Sequence, residues 1–112
     1  PLQRGLLTGK IKPGYLFNAG DTREGNKFYT KENVIRANEL LETIKPIADA
    51  HGATLSQLVI NWTTRQQAMD CVLVGARDEL QVNDNVRALD FTLSQQELET
   101  INAAVKSFKL AE

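Results

Sequence analysis

The chain has 112 residues, 42% hydrophobic and 24% charged, a composition that suits one globular domain with a core and excludes collagen-like, low-complexity and disulfide-framework classes. Thirteen basic residues against fourteen acidic ones leave a formal charge of −1, so no global field draws the protein toward nucleic acid or an anionic membrane. Cys71 is the single cysteine and cannot form an internal bridge; with no secretory pattern and no run of about 20 apolar residues, a cytoplasmic location is the expectation.

The lone methionine is Met69, and the chain opens at Pro1 inside an apolar run, which predicts a piece of a longer protein. Residues 1–10 combine a short apolar stretch with Gly5 and Gly9 and read as a brief strand running into a turn. Residues 11–30 carry Pro13, Gly14, Asn18, Gly20, Asp21, Gly25 and Asn26 without a sustained period. A loop of that length is a candidate lid or clamp. Thr30 as N-cap, with Glu32 in the first turn, opens a helix whose apolar face runs Val34, Ala37, Leu41, Ile44, Ala48. Pro46 lacks a backbone donor and crowds the preceding turn, so a kink or break is predicted there, with the second piece stopping at Gly52.

Thr54 and Gln57 stand at capping-box spacing, and Leu55, Leu58, Val59 and Trp62 fall on one face of the helix they open. Cys71, Val72, Leu73 and Val74 form an apolar run too short for a helix and followed by Gly75, which suits a buried parallel strand. A helix is predicted over 78–89 with Val82, Val86 and Leu89 inward. Ser94 with Glu97 opens a last helix carrying Leu98, Ile101, Val105 and Phe108. Strand, loop, helices, strand, helices fit a right-handed crossover in one slice of an α/β protein.

The best-motivated chemical site is the junction Val74, Gly75, Ala76, Arg77, Asp78, where a strand delivers the chain to a helix N-terminus. Free amides and the positive end of the helix dipole suit an anion there, Gly75 admits close approach, and the Arg77 guanidinium can grip phosphate with Gln81 one turn on. The competing reading makes Gly75 a turn residue and Arg77 a solvated side chain. The segment from Gly5 to Lys10 does not make a nucleoside-triphosphate loop, because three residues separate its glycines and Ile11 follows the lysine. Arg4 and Lys10 stay as single contacts to an anion.

Catalytic candidates are few. His51 before the helix-stopping Gly52 reads as structural, and Cys71 has no basic neighbour to activate it. Tyr15 and Tyr29 lie in the polar loop without partners, Trp62 reads as core, and one cysteine with one histidine gives no metal spacing. Ala48, Gly52 and Leu58, with Gln57, Asn61 and Arg65 polar on the second helix, imitate a helix-turn-helix pair. The acidic balance and the lack of a basic stripe argue against nucleic acid.

Two stretches carry a resemblance together: residues 1–10, Pro-Leu-Gln-Arg-Gly-Leu-Leu-Thr-Gly-Lys, and residues 72–77, Val-Leu-Val-Gly-Ala-Arg. Gln81, Asp84 and Asn85 follow, then Ala88, Leu89, Asp90, Phe91, Leu93 and Ser94. The combination resembles the C-terminal third of the aldo-keto reductases, in the branch of general-stress reductases and potassium-channel β subunits. That resemblance implies an α/β chain, the C-terminal fragment of a (β/α)8 TIM barrel with strands seven and eight and their helices, mostly helical in isolation and prone to self-association. It implies a single segment over 1–112 with a cofactor-covering loop over 11–30, and NADP as cofactor. A small carbonyl substrate would belong to the parent enzyme.

Residue by residue, the resemblance puts Pro1, Leu2, Gln3 and Arg4 along the pyrophosphate and ribose, and Lys10 and Arg23 on the covering loop. Gly75, Arg77 and Gln81 would surround the 2′-phosphate, with Asp84 and Asn85 near the adenine. Arg77 stands where the family often carries a small hydroxyl residue. The family's proton-donating tyrosine and its lysine, aspartate and histidine companions belong to earlier strands, so the segment alone is expected to turn over nothing. A regulator that keeps the cofactor but serves a partner protein, like the β subunits, is the related alternative.

Overall fold

The computed structural model describes all 112 residues, and its regular elements are all helical. Four α-helices follow in order: α1 over Lys31–Ala50, α2 over Leu55–Thr64, α3 over Glu79–Val86 and α4 over Gln95–Ser107. Short 3₁₀ turns stand at Gln3–Thr8, Lys27–Tyr29 and Arg87–Leu89. None of the helices is long and apolar enough to cross a membrane.

The capping signals act as read. Thr30 Oγ1 accepts from the Asn33 amide at the start of α1, and complete capping boxes, Thr54 with Gln57 and Ser94 with Glu97, open α2 and α4. Each box satisfies two amides that the first turn would otherwise leave unpaired. The predicted apolar face of α1 is wholly buried: Val34, Ala37, Leu41, Ile44 and Ala48. Its C-terminal half joins Leu58 and Val59 of α2, Leu93 just before α4 and Ile101 within it in the main core. Its N-terminal half joins Leu6, Ile11 and Tyr29 in a second one. The helix therefore bridges both cores along one stripe.

Pro46 does not break it. α1 runs unbroken through the proline, which sits on the exposed face while Ile44 and Ala48 on either side are buried. The packed stripe holds the turn that the missing donor weakens.

Both expected strands are absent, and with them the crossover. Residues 71–76 form no regular element and make no backbone–backbone hydrogen bond. An isolated run has no ladder to satisfy its amides and carbonyls, and β structure requires one. Cys71 is accordingly exposed rather than buried, and Leu73 is 86% exposed. Residues 3–8 wind into 3₁₀ turns broken by left-handed backbone, with φ of 48° at Gln3, 51° at Arg4 and 98° at Gly5. The face expected to point inward over 78–89 is also outside: Val82 and Val86 of α3 and Leu89 of the following 3₁₀ turn are all exposed. Val105 of α4 is likewise exposed, whereas Ile101 is buried and Leu98 and Phe108 pack against the cores.

Two buried polar side chains tie α2 to the segments that follow it. Gln57 Nε2 donates to the Asp84 carbonyl and Oδ1, both at 3.0 Å, while its Oε1 serves the Thr54 amide in the capping box. Asn61 Nδ2 donates to the carbonyls of Ala88 at 2.8 Å and Phe91 at 2.7 Å. Gln57 and Asn61 thus face the interior. Two of the three polar residues that a helix-turn-helix reading places on the recognition face of α2 are therefore turned inward, and only Arg65 is exposed.

Candidate functional site

An open cleft of about 680 Å³ lies between the N-terminal 3₁₀ turns, the residue 71–77 segment and α3. Pro1, Leu2, Gln3 and Arg4 form one wall, and Lys10 and Arg23 approach from the loop. Gly75 and Arg77 form the opposite wall, and Gln81, Asp84 and Asn85 of α3 complete it. All the residues singled out in the sequence as anion or cofactor contacts therefore line one space. Gly5, Thr8, Tyr15 and Ser56 line it as well and were not singled out. Ser56 follows an N-cap with no chemical signal of its own, and only the approach of the α2 N-terminus to the cleft brings it there.

The first wall is held in an unfavourable conformation. Left-handed backbone costs a residue with a side chain roughly 1–2 kcal/mol, and Gln3 and Arg4 adopt it in succession. Two contacts fix the carbonyls of this pair. Tyr29 Oη donates to the Gln3 carbonyl at 2.7 Å, and Arg23 Nη1 donates to the Arg4 carbonyl at 3.0 Å. The Arg4 guanidinium reaches Thr22 Oγ1 on the loop. Burial raises the pKa of the Tyr29 phenol, which keeps it a donor. Tyr29 and Thr22 carry no motif, and their parts in the wall are visible only in three dimensions.

Gly9, with φ of 77°, closes these turns in a left-handed conformation that favours glycine; a Cβ there would lie 2.9 Å from Leu55 Cδ1 and displace the end of that side chain. Gly75 differs. Its φ lies outside the left-handed region and nothing stands within 4 Å of where a Cβ would be, so neither backbone conformation nor internal packing requires glycine at that point.

Arg23 is anchored to Asp21 by an ion pair at 2.6 Å and lies 5.0 Å from the Phe17 ring centre. The guanidinium, bonding the carboxylate side chain, holds the Asp21 pKa down at about 2, and Asp21 in turn raises that of Arg23. Arg23 is a loop cation already partnered, whereas Lys10 and Arg77 are exposed and form no ion pair.

At the opposite wall, some of the amides expected to be free are taken. Asp78 Oδ1 accepts from the Gln81 amide at 2.8 Å, and Gln81 Oε1 accepts from the Arg77 amide at 2.8 Å. The amides of Ala76, Glu79 and Leu80 donate to nothing within the chain. Asn85 Nδ2 donates to the Gly75 carbonyl at 3.3 Å, so that carbonyl is turned toward α3. Asp84 is fixed by Gln57 as described above, which makes Gln57 a support of the site, a part neither its capping-box spacing nor its place in a helix-turn-helix pattern had indicated. The junction is thus a preformed turn with a cation beside it and some donors left over.

Residues 1–106 match the Aldo/keto reductase family. The chain belongs to that family. Among relatives, it is 33% identical over 84% of its length to an NADH-specific methylglyoxal reductase of Escherichia coli. It is 35% identical over 80% of its length to a probable voltage-gated potassium channel subunit beta of Arabidopsis thaliana. Identity to the aldo-keto reductase yakc of Schizosaccharomyces pombe, whose name carries NADP(+), is 34% over 93% of the chain. The chain spans 28%, 28% and 31% of these three relatives, about a third of each. One relative is named for NADH and another for NADP(+), so this aldo/keto reductase segment has kin with either nicotinamide cofactor.

Proposed function

We propose that the chain is the cofactor-binding portion of an NADP(H)-dependent reductase of aldehydes or ketones. The observation that carries this reading is the convergence of Arg4, Lys10, Arg23 and Arg77 on one cleft of a chain whose net charge is −1. A cluster of cations on an otherwise near-neutral chain suits a ligand with several phosphates. The volume fits a cofactor site, typically about 300–1,000 Å³. The open approach at Gly75 fits an oxygen set against the backbone.

In this reading Gln3 and Arg4 bind the pyrophosphate end, and Arg23 with Lys10 covers it. Arg77 and Gln81 hold the 2′-phosphate, while Asp84 and Asn85 orient the adenosine. When bound, the nicotinamide supplies the reducing equivalents for carbonyl reduction; the chain's own residues grip and orient. Proton donation to the carbonyl falls to residues outside this chain, since none of its tyrosines, lysines or histidines forms an acid–base pair in the cleft.

The test is calorimetric titration of the chain with NADPH and with NADH. NADPH binding that weakens about tenfold in Arg77→Ala, with NADH changed less than about twofold, is expected; that ratio is the low end of a charge-assisted hydrogen bond, as suits an exposed guanidinium. Equal loss for both cofactors would remove Arg77 from the 2′-phosphate, and no binding of either would end the reading.

A further inference from the structure

Asn33 lies in the first turn of α1, outside the cleft, and is 1% exposed. Its side-chain amide joins two segments far apart in sequence. Oδ1 accepts from the Ala111 amide at 2.6 Å, and Nδ2 donates to the Lys27 carbonyl at 2.7 Å and the Ala111 carbonyl at 3.4 Å. An asparagine amide has few bonding positions, and here both ends are engaged. Arg36 Nη1 adds a bond to the Lys109 carbonyl at 3.0 Å. Phe108 packs against the second core beside Phe17 and Phe28. Residues 108–111 therefore lie as a strap along α1.

Lys27 opens the 3₁₀ turn that ends the covering loop, and Tyr29, two residues on, donates to the Gln3 carbonyl. We propose that Asn33 is a positioning residue for the cleft: by tying residues 108–111 to the Lys27–Tyr29 turn, it holds Tyr29 against the left-handed Gln3 wall and slows release of the ligand bound there. The wall cannot keep its unfavourable backbone without outside contacts, because left-handed residues relax unless the surroundings fix them. The Tyr29 hydroxyl is one such contact, and Asn33 is the buried group that fixes the turn carrying it. This inference rests on the cleft's being the cofactor site, and its test is built so that the two can fail separately.

Asn33→Ala removes all three bonds but opens a buried gap, so it is paired with two mild changes. Ala111→Pro deletes the amide that Oδ1 accepts, and Arg36→Ala deletes the bond to Lys109. Amide exchange is followed at Phe28 and Tyr29, both bonded to Asn26, and at Leu58 in α2 as reference. NADPH release is timed by stopped flow. The expectation is exchange at Phe28 and Tyr29 accelerated roughly two- to tenfold, the range one hydrogen bond sets, with Leu58 unchanged and NADPH release faster by a similar factor.

Unchanged exchange at Phe28 and Tyr29 overturns the proposal, and so does equal acceleration at Leu58, which would mark a general loss of stability. Faster exchange with unaltered release overturns the coupling to the cleft. If the unmodified chain fails to bind NADPH, the cofactor reading fails, and the hold of Asn33 on the turn is decided by the exchange data alone.

Discussion

At the scale of single residues, the clearest sign of a site is a local rule that is broken. Gln3 and Arg4 take a backbone conformation suited to glycine, yet carry side chains that line the cleft. Ala68 has a φ of 62° away from the cleft, so positive φ alone marks no function. What distinguishes the Gln3 and Arg4 pair is that separate side chains, Tyr29 and Arg23, hold its carbonyls. Arg4→Gly removes the steric penalty and the guanidinium together. We expect the variant to be more stable by about 0.5–1 kcal/mol, measured by urea unfolding, while binding NADPH less tightly. Ala68→Gly, the same relief elsewhere, should raise stability without touching cofactor affinity. If Arg4→Gly lowers stability, the left-handed turn carries no strain and its link to the cleft dissolves. None of this was legible in the sequence, because nothing in the order Gln-Arg-Gly marks the first two residues as left-handed. The cations Arg4, Lys10, Arg23 and Arg77 were legible as residue types, but their convergence came only from resemblance to a family.

At the scale of elements, the helices were the readable part, since caps and apolar stripes are local and period-bound. α1 shows where a local rule yields to packing. Pro46 should interrupt it, but buried Ile44 and Ala48 keep the helix continuous. The cost remains in the stability. Because Pro46 is exposed, Pro46→Ala loses no core contact and should stabilise by about 1–3 kcal/mol in chemical denaturation. The start of α4 offers a pH-dependent case. Glu97 Oε2 accepts from the Ser94 amide at 2.8 Å and from His51 Nε2 at 2.9 Å, while the His51 ring stacks on Phe91. The His51 bond, followed by the Ser94 amide, lowers the Glu97 pKa. A carboxyl with a lowered folded pKa adds stability above its unfolded value and loses it as pH falls through the folded one. Unfolding midpoints should therefore drop below the ordinary glutamate range. Glu97→Gln keeps a cap-competent side chain and should flatten that acid limb; an unchanged limb would assign it to other carboxyls.

At the scale of the whole molecule, the failed expectations share one cause. Strands, an inward α3 face and a buried Cys71 all presuppose neighbours that these 112 residues do not contain. The α1 stripe and Leu58, Val59 and Ile101 were legible as buried, whereas Cys71, Leu73, Val82, Val86 and Leu89 read the same way and are exposed. Only 17 of the 112 residues are buried, while Leu73 is 86% and Leu80 80% exposed, with Val86 and Leu89 also outside on the same stretch. A chain spanning about a third of its relatives leaves apolar surface of this kind uncovered, together with the backbone of residues 71–76, which pairs with no other backbone. Both promote association, one through buried area and the other through strand pairing. By itself the chain should therefore sediment as concentration-dependent oligomers. Leu73→Lys combined with Leu80→Lys should shift it toward monomer, because each change places a charge where association would bury it. Neither residue has a partner in the two cores, so helical content should be preserved. A monodisperse monomer at all concentrations for the unmodified chain would mean that this surface tolerates water.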